Sequence, residues 1–393
     1  SYIYGGGLGE DNDGTENDHA ADVYGPVTVT MEGGSINNVF GCNNVNGMPK
    51  STVAVVIGAI TIVLCLSGSG IVSGSVYGGG NQAACTGSPT VTLYGGTVST
   101  NVYGGGLGST AKTGSATVVM EGGTVGNDVF GGGSQADVTG NVSVSVSGGT
   151  ITNDVYGGGA LANTNTGNWD SAANDGAGGW NVASSASLYY YVQVKHLTVG
   201  TSDVEGYYTD DSGGGLQVSG AKAAAGQHYY KRLSYNPNIY NLAKNGTTYK
   251  TTVNLTGGVI GNAYGGGLGK LGTDGTPEGT GYVKAMVYGD VAVNVNGAAF
   301  TELVEASAKN APVTGRVFGC NNINGTPKGS VTVTIYKTRR IDDGEHTLGE
   351  FEIQGVYGGG NLADYVPQTY DDATEFGQKA KVMSYALITR DTI

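Results

Sequence analysis

The chain has 393 residues, of which 73 are glycine and only 8 proline; charged residues make up 13% and leave a net charge of −13. The 19 Lys and Arg are too sparse to form the clustered cations that displace counterions from nucleic acid or hold an anionic membrane. No Gly-X-Y period is present, which excludes collagen, and a hydrophobic content of 39% suits a folded chain rather than a disordered one.

The chain opens inside a repeat, SYIYGGGLG, with no visible signal peptide, as expected of a processed chain or an excised segment. Ile3-Tyr4-Gly5 is the first of nine anchors of the form aliphatic, aromatic, glycine. The others are Val39-Phe40-Gly41, Val76-Tyr77-Gly78, Val102-Tyr103-Gly104, Val129-Phe130-Gly131, Val155-Tyr156-Gly157, Ala263-Tyr264-Gly265, Val317-Phe318-Gly319 and Val356-Tyr357-Gly358. Gly6-Gly7-Leu8-Gly9-Glu10-Asp11 then matches the start of a calcium-binding nonapeptide, but Asp13 stands where that repeat needs a hydrophobe. Asp11, Asp13, Glu16 and Asp18 therefore read either as a solvated acidic loop or as oxygen ligands for one Ca²⁺.

Residues 27–31, VTVTM, alternate strictly, which places Val and Met on one face of a strand and Thr on the other. Residues 53–66 are apolar at almost every position, β-branched and broken by glycine. They are shorter than a membrane helix requires, and predict buried strands covered on both faces. The cover is a loop of the chain or another subunit, so Val53, Val55 and Ile57 are candidate interface residues. Cysteines stand at 42, 65, 85 and 320 with no CxxC pair, which argues against zinc. Cys65–Cys85 is a possible disulfide; buried free thiols are the alternative.

From Tyr77 the anchors follow at spacings of 26, 27 and 26, to Tyr103, Phe130 and Tyr156. Each unit carries an alternating strand (Thr90-Val91-Thr92-Leu93, or Val142-Ser143-Val144-Ser145-Val146), a Gly-Gly corner, a short strand such as Thr97-Val98, and an Asn/Asp turn before its anchor. A fixed period of this length signals stacked units that bury an apolar face only against their neighbours. The expected fold is all-β, a parallel β-solenoid (β-helix) with rungs of about 26 residues, aliphatic ladders inside, Thr/Ser ladders outside and a column of Tyr and Phe. Whether that column faces inward is left open.

Three domains follow: a first solenoid block at 1–160, an aromatic-rich insert at 161–249 and a second block at 250–393. The insert breaks the period and carries Trp169, Trp180, Tyr189-Tyr190-Tyr191, Tyr207-Tyr208 and Tyr229-Tyr230. It reads as a small β-rich subdomain, with a strand from Tyr189 and a short helical turn at 221–225. Its aromatics either form its own core or stack on sugar rings, so Trp169, Trp180, Tyr207 and Tyr208 are the candidate glycan or host-surface contacts.

The second block repeats the first: VFGCNNVNGMPK at 39–50 returns at 317–328 as VFGCNNINGTPK, and VYGGGNQA at 76–83 returns at 356–363 as VYGGGNLA. The offsets, 278 and 280, keep the copies nearly in register, which argues for a structural module. The one basic cluster, Lys337-Thr338-Arg339-Arg340, precedes Asp342, Asp343 and Glu345 and reads as a solvated loop. The terminal LITRDTI resembles the segment that precedes an anchor, as in TITNDV at 150–155. Ile3, Tyr4, Leu387, Ile388 and Ile393 are accordingly the expected head-to-tail contacts of a homopolymer.

The phrases VFGCNNxNGxPK and VYGGGNxA resemble large Gly-triplet repeat surface proteins of gut-type Bacteroidetes, over about 1–160 and 250–365. The resemblance implies export and a surface or matrix role, and carries no catalytic residue. No nucleophile–base pair stands out: Arg339, Arg340, Asp342, Asp343 and His346, and separately Tyr370, Asp371 and Asp372, fall in low-complexity loops. The expectation is a secreted or cell-surface, non-enzymatic protein without a membrane span. It would assemble head to tail into filaments or form a stalk, with a glycan- or host-binding adhesin as the alternative.

Overall fold

The structure is a computed structural model. It describes residues 2–10, 19–31, 33–57, 70–168, 189–194, 197–210, 217–220, 222–234, 249–300, 314–339, 353–365 and 380–384. Among them the protein is all-β, with one 3-10 turn at Thr166–Asn168. Two compact units are present, one of residues 1–167, 249–367 and 379–393, the other of residues 168–248 and 368–378.

In the first unit nearly all strands pair in parallel. A nine-stranded sheet is built from the nine anchors in chain order, from Tyr2–Tyr4 to Gly355–Tyr357. A fifteen-stranded sheet holds two rows. The long row includes Val27–Met31, Val53–Ile57, Thr90–Leu93, Ala116–Met120, Val142–Val146 and Lys250–Leu255; the short row includes Ser35–Ile36, Ile71–Val72, Thr97–Val98, Thr124–Val125 and Thr150–Ile151. Register is kept residue by residue through most of the long row, so Val118 lies between Val91 and Val144; it shifts after Val295 where Asp290–Phe300 meets Val331–Arg339. A third line of single bridges runs Cys85, Thr113, Val138, Thr164, Val287, Pro327.

The alternation read in the sequence is the alternation of burial. Val27, Val29 and Met31 are buried while Thr28 and Thr30 are exposed. One aliphatic core runs through the stacked layers, with Val55, Val91, Val118, Val144, Val253, Val293 and Val333 all at 0% exposure. At the Gly-Gly corners the second glycine has positive φ, for example +85° at Gly123 and +82° at Gly149, a conformation strained for any residue with a Cβ. In Asp290–Phe300 the corner is reduced to Gly297. The strand runs on and joins the rows, Val295 pairing with Leu255 and Phe300 with Ile260.

Residues 168–248 do not interrupt the stack, because Val142–Val146 pairs directly with Lys250–Leu255 and Val155–Tyr156 with Ala263–Tyr264. The two expected blocks thus fall in one unit. In the second unit Tyr189–Gln193 pairs antiparallel with Tyr230–Ser234, and Val204, Ala223 and Tyr229 form a small core.

Four expectations change. The basic cluster is not a loop at its start: the strand Val331–Arg339 runs through Lys337 and Thr338, with Thr338 buried. The helical turn expected at 221–225 is absent from the described part, where Lys222 bridges Asp203 in extended backbone. Cys85 pairs with Cys42, not with Cys65. Val53, Val55 and Ile57 are interior residues, 0–2% exposed, rather than surface for another subunit, because they occupy the inward positions of the long row. Residues 58–66 of that apolar run lie outside the described residues.

Candidate functional site

The most regular feature of the stacked unit is its aromatic column. Tyr4, Phe40, Tyr77, Tyr103, Phe130, Tyr156, Tyr264, Phe318 and Tyr357 stack with centroids 4.7–5.0 Å apart and planes within 4–12° of parallel. The spacing is that of neighbouring strands, so each ring sits over the ring of the next layer. From Phe40 to Phe318 the column is buried in a cluster of its own, apart from the aliphatic core, while Tyr4 is partly buried and Tyr357 exposed; this resolves the direction left open by the sequence. Burial raises the phenols of Tyr77, Tyr103, Tyr156 and Tyr264 above the usual range.

The glycines beside the column are required by close approach. A Cβ at Gly131 would meet the Gly157 carbonyl oxygen and come within 2.5 Å of Val142 Cγ1; Gly104 and Gly157 face the same obstruction from their next layers. Glycine lets the layers close to strand-pairing distance.

The duplicated VFGCNN module folds the same way twice. Asn43 Nδ2 donates to the carbonyls of Ala21 and Asn46, at 2.7 and 3.0 Å, and Asn321 Nδ2 donates to those of Ala285 and Asn324, at 2.6 and 3.1 Å. Their Oδ1 atoms have no hydrogen-bond donor and press against Gly6 and Gly266, where any Cβ would collide. Gly47 and Gly325 turn at φ +83° and +101°. The copies differ at the cysteine. Cys42 is bonded to Cys85 across adjacent layers, with Cα atoms 6.2 Å apart. Cys320 is a buried thiol that donates to the Gly358 carbonyl at 3.3 Å; burial pushes its pKa up. In register with Cys85 stands Tyr365, whose hydroxyl donates to the Gly329 carbonyl at 2.9 Å.

The residues before six successive anchors, Asn38, Ser75, Asn101, Asp128, Asp154 and Asn262, form a further column. Each side-chain oxygen accepts the backbone N–H one layer on: Asn38 from Ser75 at 2.6 Å, Asn101 from Asp128 at 3.0 Å and Asn262 from Arg316 at 3.0 Å. The sequence shows these as turn residues; their ladder role needs the stacking register.

Of the expected site residues, Tyr4 heads the aromatic column and Ile3 packs against the aliphatic core. Leu387, Ile388 and Ile393, the acidic group Asp11, Asp13, Glu16 and Asp18, and Trp169 and Trp180 lie outside the described residues. Tyr208 is 8% exposed, and Tyr207 is half-buried against the small core of the second unit. Of the two clusters weighed for catalysis, Arg339 alone is described. Among the described residues no three His, Cys, Asp or Glu gather as a metal site, and no helix is long and apolar enough to cross a membrane. No family model, no curated protein and no solved structure matches the chain.

Proposed function

We propose that the stacked unit is a parallel β-solenoid of about 26-residue rungs, and that it serves as a structural element outside the cell, a stalk or a head-to-tail filament. The observation that carries this reading is the stack itself: nine anchor strands in one register, with one aromatic column and one aliphatic core. Such an array suits length and stiffness, since each layer contacts only its neighbours. The disulfide between Cys42 and Cys85 supports export, because such bonds persist in oxidising compartments.

The two outermost strands of the nine-stranded sheet are complementary. Within the stack each anchor glycine N–H donates to the aromatic carbonyl one layer on, from Gly5 to Phe40 and finally from Gly319 to Tyr357. This polarity turns the Tyr4 carbonyl outward at one edge and the Gly358 N–H outward at the other. An edge of this kind takes a further layer from its own polypeptide or from another copy.

Negative-stain microscopy over a concentration series tests the reading. Nine layers at about 4.8 Å each make a segment of about 40 Å, and end-to-end joining should rise with concentration. Gly359→Ala supplies the control. Its Cβ meets nothing within 4 Å, whereas a Cβ at the matching Gly132 would lie 2.7 Å from Gly159 N. The variant should fold normally and block joining. Isolated particles at every concentration would refute the filament and leave the stalk; particles without a stacked axis would refute both.

A further inference from the structure

The column that precedes the anchors changes chemistry in the middle of the stack. Asn38, Asn101 and Asn262 are amides, but Asp128 and Asp154, in adjacent layers, are carboxylates. Asp128 Oδ1 accepts the Asp154 N–H at 3.0 Å. Asp154 Oδ1 accepts the N–H and Nδ2 of Asn262 at 2.9 and 2.8 Å, and its Oδ2 accepts the Tyr156 hydroxyl at 3.1 Å. The backbone bond needs a single oxygen, which an amide supplies without charge. Apart from the Tyr156 hydroxyl bond to Asp154, two half-buried carboxylates one layer apart add repulsion.

The surroundings offer little to offset it. From the preceding layer come Asn101 and the Tyr103 phenol, and from the following layers Asn262, the Tyr264 phenol and Arg316. Tyr103, Tyr156 and Tyr264 stay protonated, held neutral first by burial and further by the nearby carboxylates. Arg316, the one cation named among these neighbours, acts on Tyr264 and donates through Nε to Gln354 at 2.5 Å. Burial first, with the charge of Asp154 adding to it against the opposing Asp154 N–H, raises the Asp128 carboxyl to about 6.

We propose that Asp128 and Asp154 form a proton-binding site in the stack, at which Asp128 takes up one proton from mildly acidic solvent and so relieves the repulsion between adjacent layers. The step is plain protonation: a solvent proton adds to a carboxylate oxygen of Asp128, its charge is cancelled, and the other oxygen keeps the Asp154 N–H. The sign follows from linkage. A carboxyl raised in the folded state above its unfolded value of 3.8 destabilises fully above the folded pKa. The cost is relieved as pH falls through about 6 toward the unfolded value.

Thermal unfolding of the full chain near pH 7.5 and pH 5, for the parent and Asp128→Asn, tests this. The variant should melt several degrees higher near pH 7.5, and the gap should narrow to about half near pH 5. A gap of equal size at both pH values, or a variant that melts lower near pH 7.5, would overturn the proposal. A second readout covers a variant that fails to fold: carboxyl ¹³C NMR of the Asp-labelled parent should show one resonance titrating near pH 6, moved to lower pH by Asp154→Asn. All Asp resonances titrating near pH 4 would overturn it equally.

Discussion

Phe130→Ala is the sharpest probe of the aromatic column. Phe130 is 1% exposed, with Tyr103 at 5.0 Å on one face and Tyr156 at 4.7 Å on the other. Truncating a buried Phe costs about 3–5 kcal/mol in lost transfer energy and residual cavity. Of this, each lost ring pair accounts for about 0.5–1.5 kcal/mol beyond its area, so about 1–3 kcal/mol should come from stacking on two faces. Phe130→Leu separates the terms, since it refills much of the volume and leaves the stack broken. Tyr357→Ala is the internal control, because that ring is 47% exposed and stacks on Phe318 alone among the described rings; its cost should be about 1–2 kcal/mol. Urea unfolding followed by far-UV circular dichroism, with tyrosine fluorescence as a second probe of cooperativity, measures all three. Equal costs for Phe130→Ala and Tyr357→Ala, or a Phe130→Leu cost near zero, would refute a stabilising role for the stack.

The remaining expectations concern glycine and cysteine. Gly132→Ala should cost at least about 1–3 kcal/mol through overpacking against Gly159, whereas Gly359→Ala should stay within about 0.5 kcal/mol of the parent; the same urea series checks both. Removing the Cys42–Cys85 bond, by Cys→Ser at both positions or by reductant, should cost about 2–4 kcal/mol, and a melting temperature indifferent to reductant would contradict it. Tyr365→Cys should form a second bond with Cys320, because the pair occupies the places that Cys42 and Cys85 hold in the first copy. A thiol count under denaturing, non-reducing conditions reads the outcome, and a persistent free Cys320 would refute the equivalence of the copies.

Much of the fold was legible in the chain because its physics is local. Val142-Ser143-Val144-Ser145-Val146 states which face is buried through its period of two, and its burial follows that period. The Gly-Gly corners announce backbone angles that side chains forbid. The repeat spacing implies that Tyr103, Phe130 and Tyr156 recur at one place in successive layers, and they stack. Residues 53–57 were legible as strand, but a run apolar at almost every position does not say which face turns inward, and Val53, Val55 and Ile57 proved to be core.

What the tertiary structure alone decided depends on residues far apart in the chain. Cys85 lies close to both Cys42 and Cys65 in order, and stacking of layers selected Cys42. The continuity of the unit across residues 168–248 rests on Val142–Val146 meeting Lys250–Leu255, a contact that no local pattern specifies. The direction of the aromatic column, and the meeting of Asp128 with Asp154, likewise required the register. A periodic sequence dictates what each layer is, because alternation and turn chemistry act within a few residues. Which layer lies against which, and so which charges and thiols meet, is settled by packing between layers.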